Sequence, residues 1–119
     1  MSSLRDRLED VRRRVANASE RAHRDPAEVR IVAVSKTVTS ETVAEAYHLG
    51  QADFAENRVQ ELCDKRAALD ADGVHPKWHL IGHVQSNKAK LAAGLSDIIQ
   101  SVGSLKLAQL LDSHSRDQG

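Results

Sequence analysis

The chain contains one lysine whose position in the sequence could make it a nucleophile. Lys36 directly follows the run RIVAVS at residues 30–35, which is apolar, rich in β-branched residues and typical of a buried parallel strand. No acidic residue lies within four positions of Lys36 on either side, so it has no local ion-pair partner. A partly desolvated lysine can lose its proton and attack a carbonyl carbon, as Schiff-base lysines do. A lysine can also carry its charge into solvent from almost any edge, so the local pattern leaves nucleophile and surface charge equally open.

A second polar group follows the next short apolar segment. Glu56, Asn57 and Arg58 combine a carboxylate, an amide and a guanidinium, which together could orient a polar ligand. The same residues also fit a structural interpretation, in which Asn57 caps the following helix and Arg58 pairs with Glu61 along its surface. Spacing alone favours the structural interpretation.

The segment WHLIGHVQSNK, at residues 78–88, contains the third set of polar side chains. His79 and His83 are four residues apart, which suits one metal ion only on a helix; the segment predicts a strand, so we reject a metal site. Gly82 suits a close approach of another backbone segment, and Ser86 at the start of a predicted helix could present backbone N–H groups to a phosphate. The chain has no glycine-rich motif of the GxGxxG or Walker type, so a nucleotide site has no support.

Apolar runs and amphipathic segments alternate along the chain and predict the elements that position these side chains. Strands are predicted at residues 30–35, 51–57, 77–83 and 95–103, and helices at 2–23, 39–50, 58–72, 85–94 and 104–118. Helix caps are expected at Thr39 or Ser40, and at Asn57, Ser86 and Ser104, and helix-ending glycines are expected at Gly50, Gly73 and Gly94. Four strands, each followed by a helix, predict an α/β fold of parallel (β/α) units with an extra N-terminal helix. Because such sheets bind ligands at the carboxyl ends of their strands, four side chains are expected to gather on one rim: Lys36, Asn57, His83 and Ser101.

The bulk composition limits the class of protein. With 119 residues, the chain is long enough for one domain, predicted to span residues 1–119. Its 17 basic and 17 acidic residues give a formal net charge of zero, which argues against nucleic acid or an anionic membrane as a partner. The longest apolar run is too short to span a membrane and the N-terminus is charged, so we expect a cytoplasmic protein. The single cysteine, Cys63, cannot form an internal disulfide and is expected to pack on a helix.

Three blocks of sequence, IVAVSKT, ADFAENRVQEL and KWHLIGHVQSNKAK, resemble a known family in their order and spacing. The family is that of the pyridoxal-phosphate homeostasis proteins, YggS/PROSC-like proteins related to the N-terminal domain of alanine racemase. The resemblance covers nearly the whole chain and implies a TIM-type (β/α)8 barrel, of which about half, with four strands, is present here. It further implies that Lys36 holds pyridoxal 5′-phosphate as an internal aldimine, a Schiff base. It also implies that Asn57 lies at the cofactor rim and that Val34 lines the pocket beneath the ring.

The resemblance implies a function in vitamin B6 homeostasis, namely reversible binding of pyridoxal phosphate without known turnover. Two alternatives stay open: a racemase-like or aldolase-like Schiff-base enzyme, and a half-barrel interaction module. Racemisation needs a second acid/base on the opposite face of the ring. The only tyrosine, Tyr47, is expected to pack within a helix instead.

The chain departs from the family pattern at two positions and in its length. Ala55 stands where the family usually has glycine, and Gly103 stands where an aspartate is common. A closed barrel needs roughly 200 residues, and the family's phosphate site belongs to the later strands. We therefore interpret the chain as the N-terminal half of the family's barrel, which keeps Lys36 without the phosphate site. We favour a fragment of a longer protein over a truncated gene product or a half-barrel that is completed by a second copy. We expect its first and fourth strands to be unpaired edges, which could support self-association.

Overall fold

The computed structural model describes residues 3–118, in which helices and strands alternate. The chain begins with α1 (Leu4–Arg21) and continues through β1 (Ala33–Val34), α2 (Ser40–His48), β2 (Asp53–Glu56), α3 (Val59–Ala71), β3 (Lys77–Leu80), α4 (Ala89–Leu95), β4 (Ile98–Ile99) and α5 (Leu105–Asp117). Two short 3-10 helical turns lie between these elements, at Pro26–Glu28 and Ser86–Lys88. This order matches the predicted N-terminal helix followed by strand–helix units.

The four strands form one parallel sheet in the order β1-β2-β3-β4. One row of paired residues runs through Ala33, Phe54 and Trp78, and the next runs through Val34, Ala55, His79 and Ile98. Parallel neighbours need a crossover connection, and here each crossover contains a helix. The predicted α/β fold of parallel units with an extra N-terminal helix is confirmed.

The two faces of the sheet differ in what covers them. Alternate strand residues, including Phe54 and Trp78, pack with Val43 of α2 and Leu62 of α3 in one hydrophobic cluster. The second face carries the row that begins at Val34, whose side chain is 49% exposed. The hydrophobic core therefore lies between the sheet and the helices, and the Val34 row lies on the other side.

The first and fourth strands are much shorter than predicted, with two residues each instead of the runs 30–35 and 95–103. Both lie at edges of the sheet, so each has one neighbour among the described strands with which to form ladder hydrogen bonds. The backbone carbonyl of Ile31 accepts a hydrogen bond from the side-chain amide of Gln51 instead, at 2.7 Å. Apolar composition indicated where these strands lie, whereas pairing determined their length.

Several helix boundaries follow the predicted chemistry. Thr39 and Ser104 are N-caps whose side chains accept a backbone hydrogen bond from the first turn. Gly50 and Gly73 lie just after α2 and α3 with φ of +98° and +73°, a conformation that favours glycine. Of the two candidates for the cap of α2, Thr39 rather than Ser40 has this role, and the expectations at Ser104, Gly50 and Gly73 are confirmed.

Three expected helix-end residues are wrong. The N-cap of α3 is Arg58 rather than Asn57, and it makes no side-chain cap hydrogen bond. Ser86 opens a three-residue turn whose N-cap is Gln85, so the expected start of α4 comes later. Gly94 lies inside α4 rather than after it. The side chain of Asn57 is therefore not used to cap a helix.

Candidate functional site

Lys36 lies in the loop that follows β1, at the carboxyl end of the first strand. Its side chain is exposed, and within residues 3–118 its ammonium group forms no ion pair and no hydrogen bond. An amine without a partner is open to react with a carbonyl compound, and equally open to remain a solvated charge. What distinguishes this lysine is the backbone on either side of it.

Ser35, the residue before Lys36, is held by β2 and by a second lysine. Ser35 is 3% exposed, and its backbone N–H donates to the carbonyl of Ala55 at 2.9 Å. Its hydroxyl donates to Oε2 of Glu56, and its backbone carbonyl accepts from Nζ of Lys65. The peptide group that joins Ser35 to Lys36 is therefore fixed by a buried contact.

Lys65, on α3, brings its ammonium group behind this loop. Besides the Ser35 carbonyl, its Nζ lies 2.9 Å from Oε2 of Glu56 and 3.1 Å from Oε1 of Glu61. The side chains of Lys65 and Glu56 are 8% and 0% exposed, so both charges are removed from water and depend on each other. An ammonium group has three N–H donors, and each has an acceptor here. We refer to Ser35, Glu56, Glu61 and Lys65 as the Lys65 cluster.

Thr37, the residue after Lys36, adopts a left-handed backbone conformation with φ of +62°. This conformation is a genuine outlier for a β-branched residue and costs on the order of 1–3 kcal/mol. The backbone N–H of Thr37 donates to Oε1 of Glu61 at 3.0 Å. This hydrogen bond, together with the one from Lys65, lowers the pKa of Glu61 from its ordinary value. The Lys65 cluster thus reaches the backbone on both sides of Lys36.

Asn57, at the end of β2, is in close contact with the loop that follows β3. A Cβ atom on Gly82 would lie 2.2 Å from the backbone oxygen of Asn57, so only glycine fits at this position. The hydroxyl of Ser101 donates to the carbonyl of Gly82 at 2.5 Å. The close backbone approach predicted at Gly82 is confirmed, and it brings the ends of three strands together.

The predicted rim residues are brought together only in part. Asn57 and His83 line a cleft of about 300 Å³, which Arg58 and Lys88 also line. His83 and Ser101 line a neighbouring cleft of about 420 Å³. Three of the four expected rim residues therefore surround adjoining clefts at the ends of β2, β3 and β4.

Lys36 and Val34 lie at the carboxyl end of β1, the strand next to β2. Val34 pairs in register with Ala55, and Lys36 and Asn57 each follow two residues later. Val34 lines a separate cleft of about 220 Å³ between β1 and α1. Lys36, Asn57 and Val34 thus lie on two neighbouring strands or just beyond them, and within residues 3–118 no hydrogen bond joins the Lys36 side chain to Asn57.

Sequence reasoning missed Lys65 and gave Glu61 the wrong partner. Glu61 pairs with Lys65, one turn further along α3, instead of with Arg58. A signal for this was present, because Lys65 lies on the same helical face as the buried residues Leu62 and Leu69. A charged residue on the buried face of a helix needs a partner.

Other candidate features contribute little to a site. Among residues 3–118, no group of three or more His, Cys, Asp or Glu side chains is arranged to hold a metal ion. In the same part of the chain, no helix combines the length and the apolar character needed to cross a membrane. Cys63 is a free thiol, half-buried on α3.

The sequence matches a known protein family over almost its whole length. The family model described as the alanine racemase N-terminal domain matches residues 7–119. The chain belongs to this family. The four-stranded parallel sheet corresponds to about half of the TIM-type barrel that this family implies.

Two curated relatives and one solved structure are similar to this chain. The chain is 42% identical over 119 residues to the pyridoxal phosphate homeostasis protein of Pseudomonas aeruginosa, covering 100% of this chain and 50% of the relative. It is 38% identical over 113 residues to the protein of the same name from Escherichia coli K12, covering 94% and 48%. The structure of PipY from Synechococcus elongatus PCC7942 with PLP bound matches with a TM-score of 0.74 and 43% identity, over 88% of this chain and 50% of PipY. The chain spans about half the length of the curated relatives it matches, and it corresponds to their N-terminal half.

Proposed function

We propose that this chain is part of a pyridoxal phosphate homeostasis protein and holds the cofactor reversibly, through a Schiff base on Lys36. The observation that carries this proposal is the arrangement around Lys36. An exposed amine without an ion pair lies on a loop whose flanking peptide groups are both held by hydrogen bonds to side chains. The names of the curated relatives and the PLP bound to PipY support the choice of cofactor.

The residues present fit the aldehyde and the ring of this cofactor. Pyridoxal phosphate supplies an aldehyde when bound. The uncharged amine of Lys36 can add to the aldehyde carbon, after which the carbonyl oxygen leaves as water and a C=N bond remains. Val34 offers apolar surface for a flat ring to cover, and Asn57 offers an amide that can donate or accept a hydrogen bond. We therefore propose Lys36, Asn57 and Val34 as the cofactor-binding residues.

We further propose that the protein holds the cofactor without turning over a substrate. Racemisation requires a second acid/base on the opposite face of the ring. The single tyrosine, Tyr47, packs against the hydrophobic cluster, with its ring in edge contact with that of His48. The racemase-like or aldolase-like alternative predicts that a full-length relative converts an amino acid to its mirror image or cleaves an aldol. Such turnover, measured by chiral chromatography or by product release, would contradict the proposal.

Chemical trapping tests the role of Lys36. The chain is incubated with pyridoxal phosphate, and borohydride then reduces the C=N bond to a stable secondary amine that mass spectrometry can locate. We expect the adduct on Lys36 and its loss in Lys36→Ala, because the peptide groups on both sides of Lys36 are held by hydrogen bonds. Lys106→Ala, at an exposed site on α5, is the matched control and should label like the wild type. Equal labelling of Lys36→Ala would contradict the assignment.

The remaining parts of the proposal concern the chain as a whole. We propose that residues 1–119 form a single partial barrel domain and that it works in the cytoplasm, which the charged N-terminus supports. Within residues 3–118, β1 and β4 each have one strand neighbour, which supports self-association as a further proposal. Light scattering over a range of concentrations tests self-association. A monomer at every concentration would contradict it, and with it the alternative of an interaction module.

A further inference from the structure

We propose that Lys65 is a positioning residue for Lys36, because it fixes the direction in which the reactive amine leaves the backbone. This role rests on the proposed function, since it presupposes that Lys36 reacts. Lys65 itself is directed to the interior of the fold and acts through the backbone of the loop, so it is distinct from the cofactor-binding residues. The Lys65 cluster thus sets the orientation of a second lysine, Lys36.

The direction of a side chain is set by the two planar peptide groups that flank its Cα atom. For Lys36, the first of these groups ends in the carbonyl oxygen of Ser35, which accepts from Nζ of Lys65. The second contains the N–H of Thr37, which donates to Oε1 of Glu61 at 3.0 Å. The same Oε1 lies 3.1 Å from Nζ of Lys65. One ammonium group therefore fixes the peptide groups on both sides of Lys36, one directly and one through Glu61.

The Lys65 ammonium is itself placed by a rigid partner. Glu56 is completely buried at the end of β2, and its Oε2 accepts from both Lys65 and the Ser35 hydroxyl. Because β2 lies between β1 and β3 in the sheet, this carboxylate has a fixed position. Lys36 contrasts with Lys65, since its own ammonium is exposed and has no partner within residues 3–118. A fixed backbone that carries a free amine is the combination that a nucleophile requires.

The conformation of Thr37 is a second observation that supports this role. A β-branched residue adopts a φ of +62° only when surrounding contacts hold it there. The hydrogen bond from Thr37 to Glu61 is such a contact. The backbone N–H of Val38 also donates to the Ser35 carbonyl, at 3.1 Å, and closes the turn that contains Lys36 and Thr37. Loss of the Lys65 cluster would leave Thr37 with this turn hydrogen bond alone, so that the direction of Lys36 would be less firmly fixed.

Two variants separate positioning from folding. Lys65→Met keeps the length of the side chain and removes the ammonium group. Glu61→Ala leaves the buried Lys65–Glu56 pair intact and removes only the acceptor for the Thr37 N–H. Lys106→Met, on the exposed surface of α5, is the matched control. Circular dichroism establishes which variants fold, and if Lys65→Met does not, Glu61→Ala alone decides the outcome.

The measured quantity is the rate at which the borohydride-trapped adduct forms on Lys36 at saturating pyridoxal phosphate. Amide hydrogen exchange at Thr37 is measured in parallel. We expect the folded variants to react at least about tenfold more slowly, since a misplacement of about 1 Å can cost on the order of 100-fold in rate. We also expect faster exchange at Thr37, with the control unchanged.

The other outcomes are distinct from one another. Folded variants that react as fast as the wild type would overturn the positioning role. A slower reaction with unchanged exchange at Thr37 would overturn it too, because the backbone would not have loosened. A wild-type chain that forms no adduct on Lys36 would instead overturn the proposed function.

Discussion

Two polar clusters lie within the described part of the molecule, and they differ in what they hold in place. The Lys65 cluster joins the loop after β1 to β2 and α3. A second group, which we refer to as the His79 cluster, consists of Arg30, Asp53, His79 and Gln100. Nε2 of His79 lies 2.8 Å from Asp53, Nδ1 lies 2.9 Å from the amide of Gln100, and Arg30 lies 3.7 Å from Asp53.

The His79 cluster uses all the hydrogen-bonding capacity of its central ring. A carboxylate only accepts, so Nε2–H donates to Asp53, and the amide nitrogen of Gln100 donates to Nδ1. Both ring nitrogens of His79 therefore have a hydrogen-bond partner. No atom of the ring is left for a ligand, and the cluster serves to join β2, β3 and the residue after β4.

The Lys65 cluster is less completely satisfied. Oε1 of Glu56 is buried and has no hydrogen-bond partner among residues 3–118, and Thr37 beside the cluster is strained. Unpaired buried atoms and strained backbone concentrate at functional sites. Burial of polar side chains is therefore common to both clusters and does not identify a site. The strain at Thr37 and the unpaired Oε1 of Glu56 support the proposed role of Lys36.

The largest expected effect tests whether the Lys65 cluster depends on its buried charge pair. Lys65→Met should lower the free energy of unfolding by about 3–5 kcal/mol, because it leaves Glu56 charged, buried and unpaired. The double variant Lys65→Met with Glu56→Met removes both charges and should recover most of this loss. Urea unfolding followed by circular dichroism measures both. A double variant that is no more stable than the single variant would contradict this explanation.

Removing His79 should affect stability without affecting the chemistry of Lys36. His79→Leu should cost about 2 kcal/mol, because the carboxylate of Asp53 and the amide of Gln100 lose their partner. The folded fraction should still form the trapped adduct at the wild-type rate. His48→Leu, at an exposed position on α2, is the control for both measurements. A slower reaction in His79→Leu would show that the two clusters are coupled.

A substitution at Gly82 tests whether its close contact with Asn57 holds the ends of β2 and β3 together. Gly82→Ala should cost about 1–3 kcal/mol, because its Cβ would lie 2.2 Å from a backbone oxygen that cannot move aside freely. Gly103→Ala is the matched control, since the nearest atom to its Cβ is 3.9 Å away. Thermal unfolding compares the two. Equal effects of the two substitutions would contradict the close approach.

The smallest expected effect concerns the pH dependence of the Lys65 cluster. Because the folded chain lowers the pKa of Glu61, its charge stabilises the fold above the ordinary value of 4.5, and this contribution is lost as the pH falls through the lowered pKa. The wild type should be more stable than Glu61→Gln at neutral pH, and this difference in free energy of unfolding should disappear in acid. Glu45→Gln, exposed on α2, should show no such closure. If the two proteins still differ in free energy of unfolding in strong acid, the charge of Glu61 is not the cause of the difference in stability.

The sequence was sufficient to predict the parallel sheet and the place of Lys36 at its first strand end. Alternation of apolar runs with capped amphipathic segments determines these features locally, as at Thr39 and Ser104. It was not sufficient for the length of β1, because a parallel strand extends only as far as its neighbour pairs with it. A residue's own sequence neighbourhood does not contain that information.

The Lys65 cluster was missed for a related reason. Glu61 has a basic residue within one turn on either side, Arg58 and Lys65, and spacing does not choose between them. The choice follows from how α3 rotates against β2 and the loop after β1, which turns Lys65 inward and leaves Arg58 exposed. Spacing likewise favours Asn57 as the cap of α3, whereas Arg58 occupies that position in the structure. Tertiary packing determines both the partner of Glu61 and the residue that caps α3.

The contacts of the Lys65 cluster also have a consequence for the newly made chain. They join residues 21 and 30 positions apart, from Ser35 to Glu56 and from Ser35 to Lys65. Contacts at such separations form only after the intervening loops have closed and the elements have docked. Before that point Lys36 has no fixed direction, and we expect it to react with an aldehyde no faster than a surface lysine such as Lys106. If the proposed function holds, Lys36 would therefore become reactive only when folding is complete, and an unfinished chain would not capture an aldehyde that it cannot yet hold.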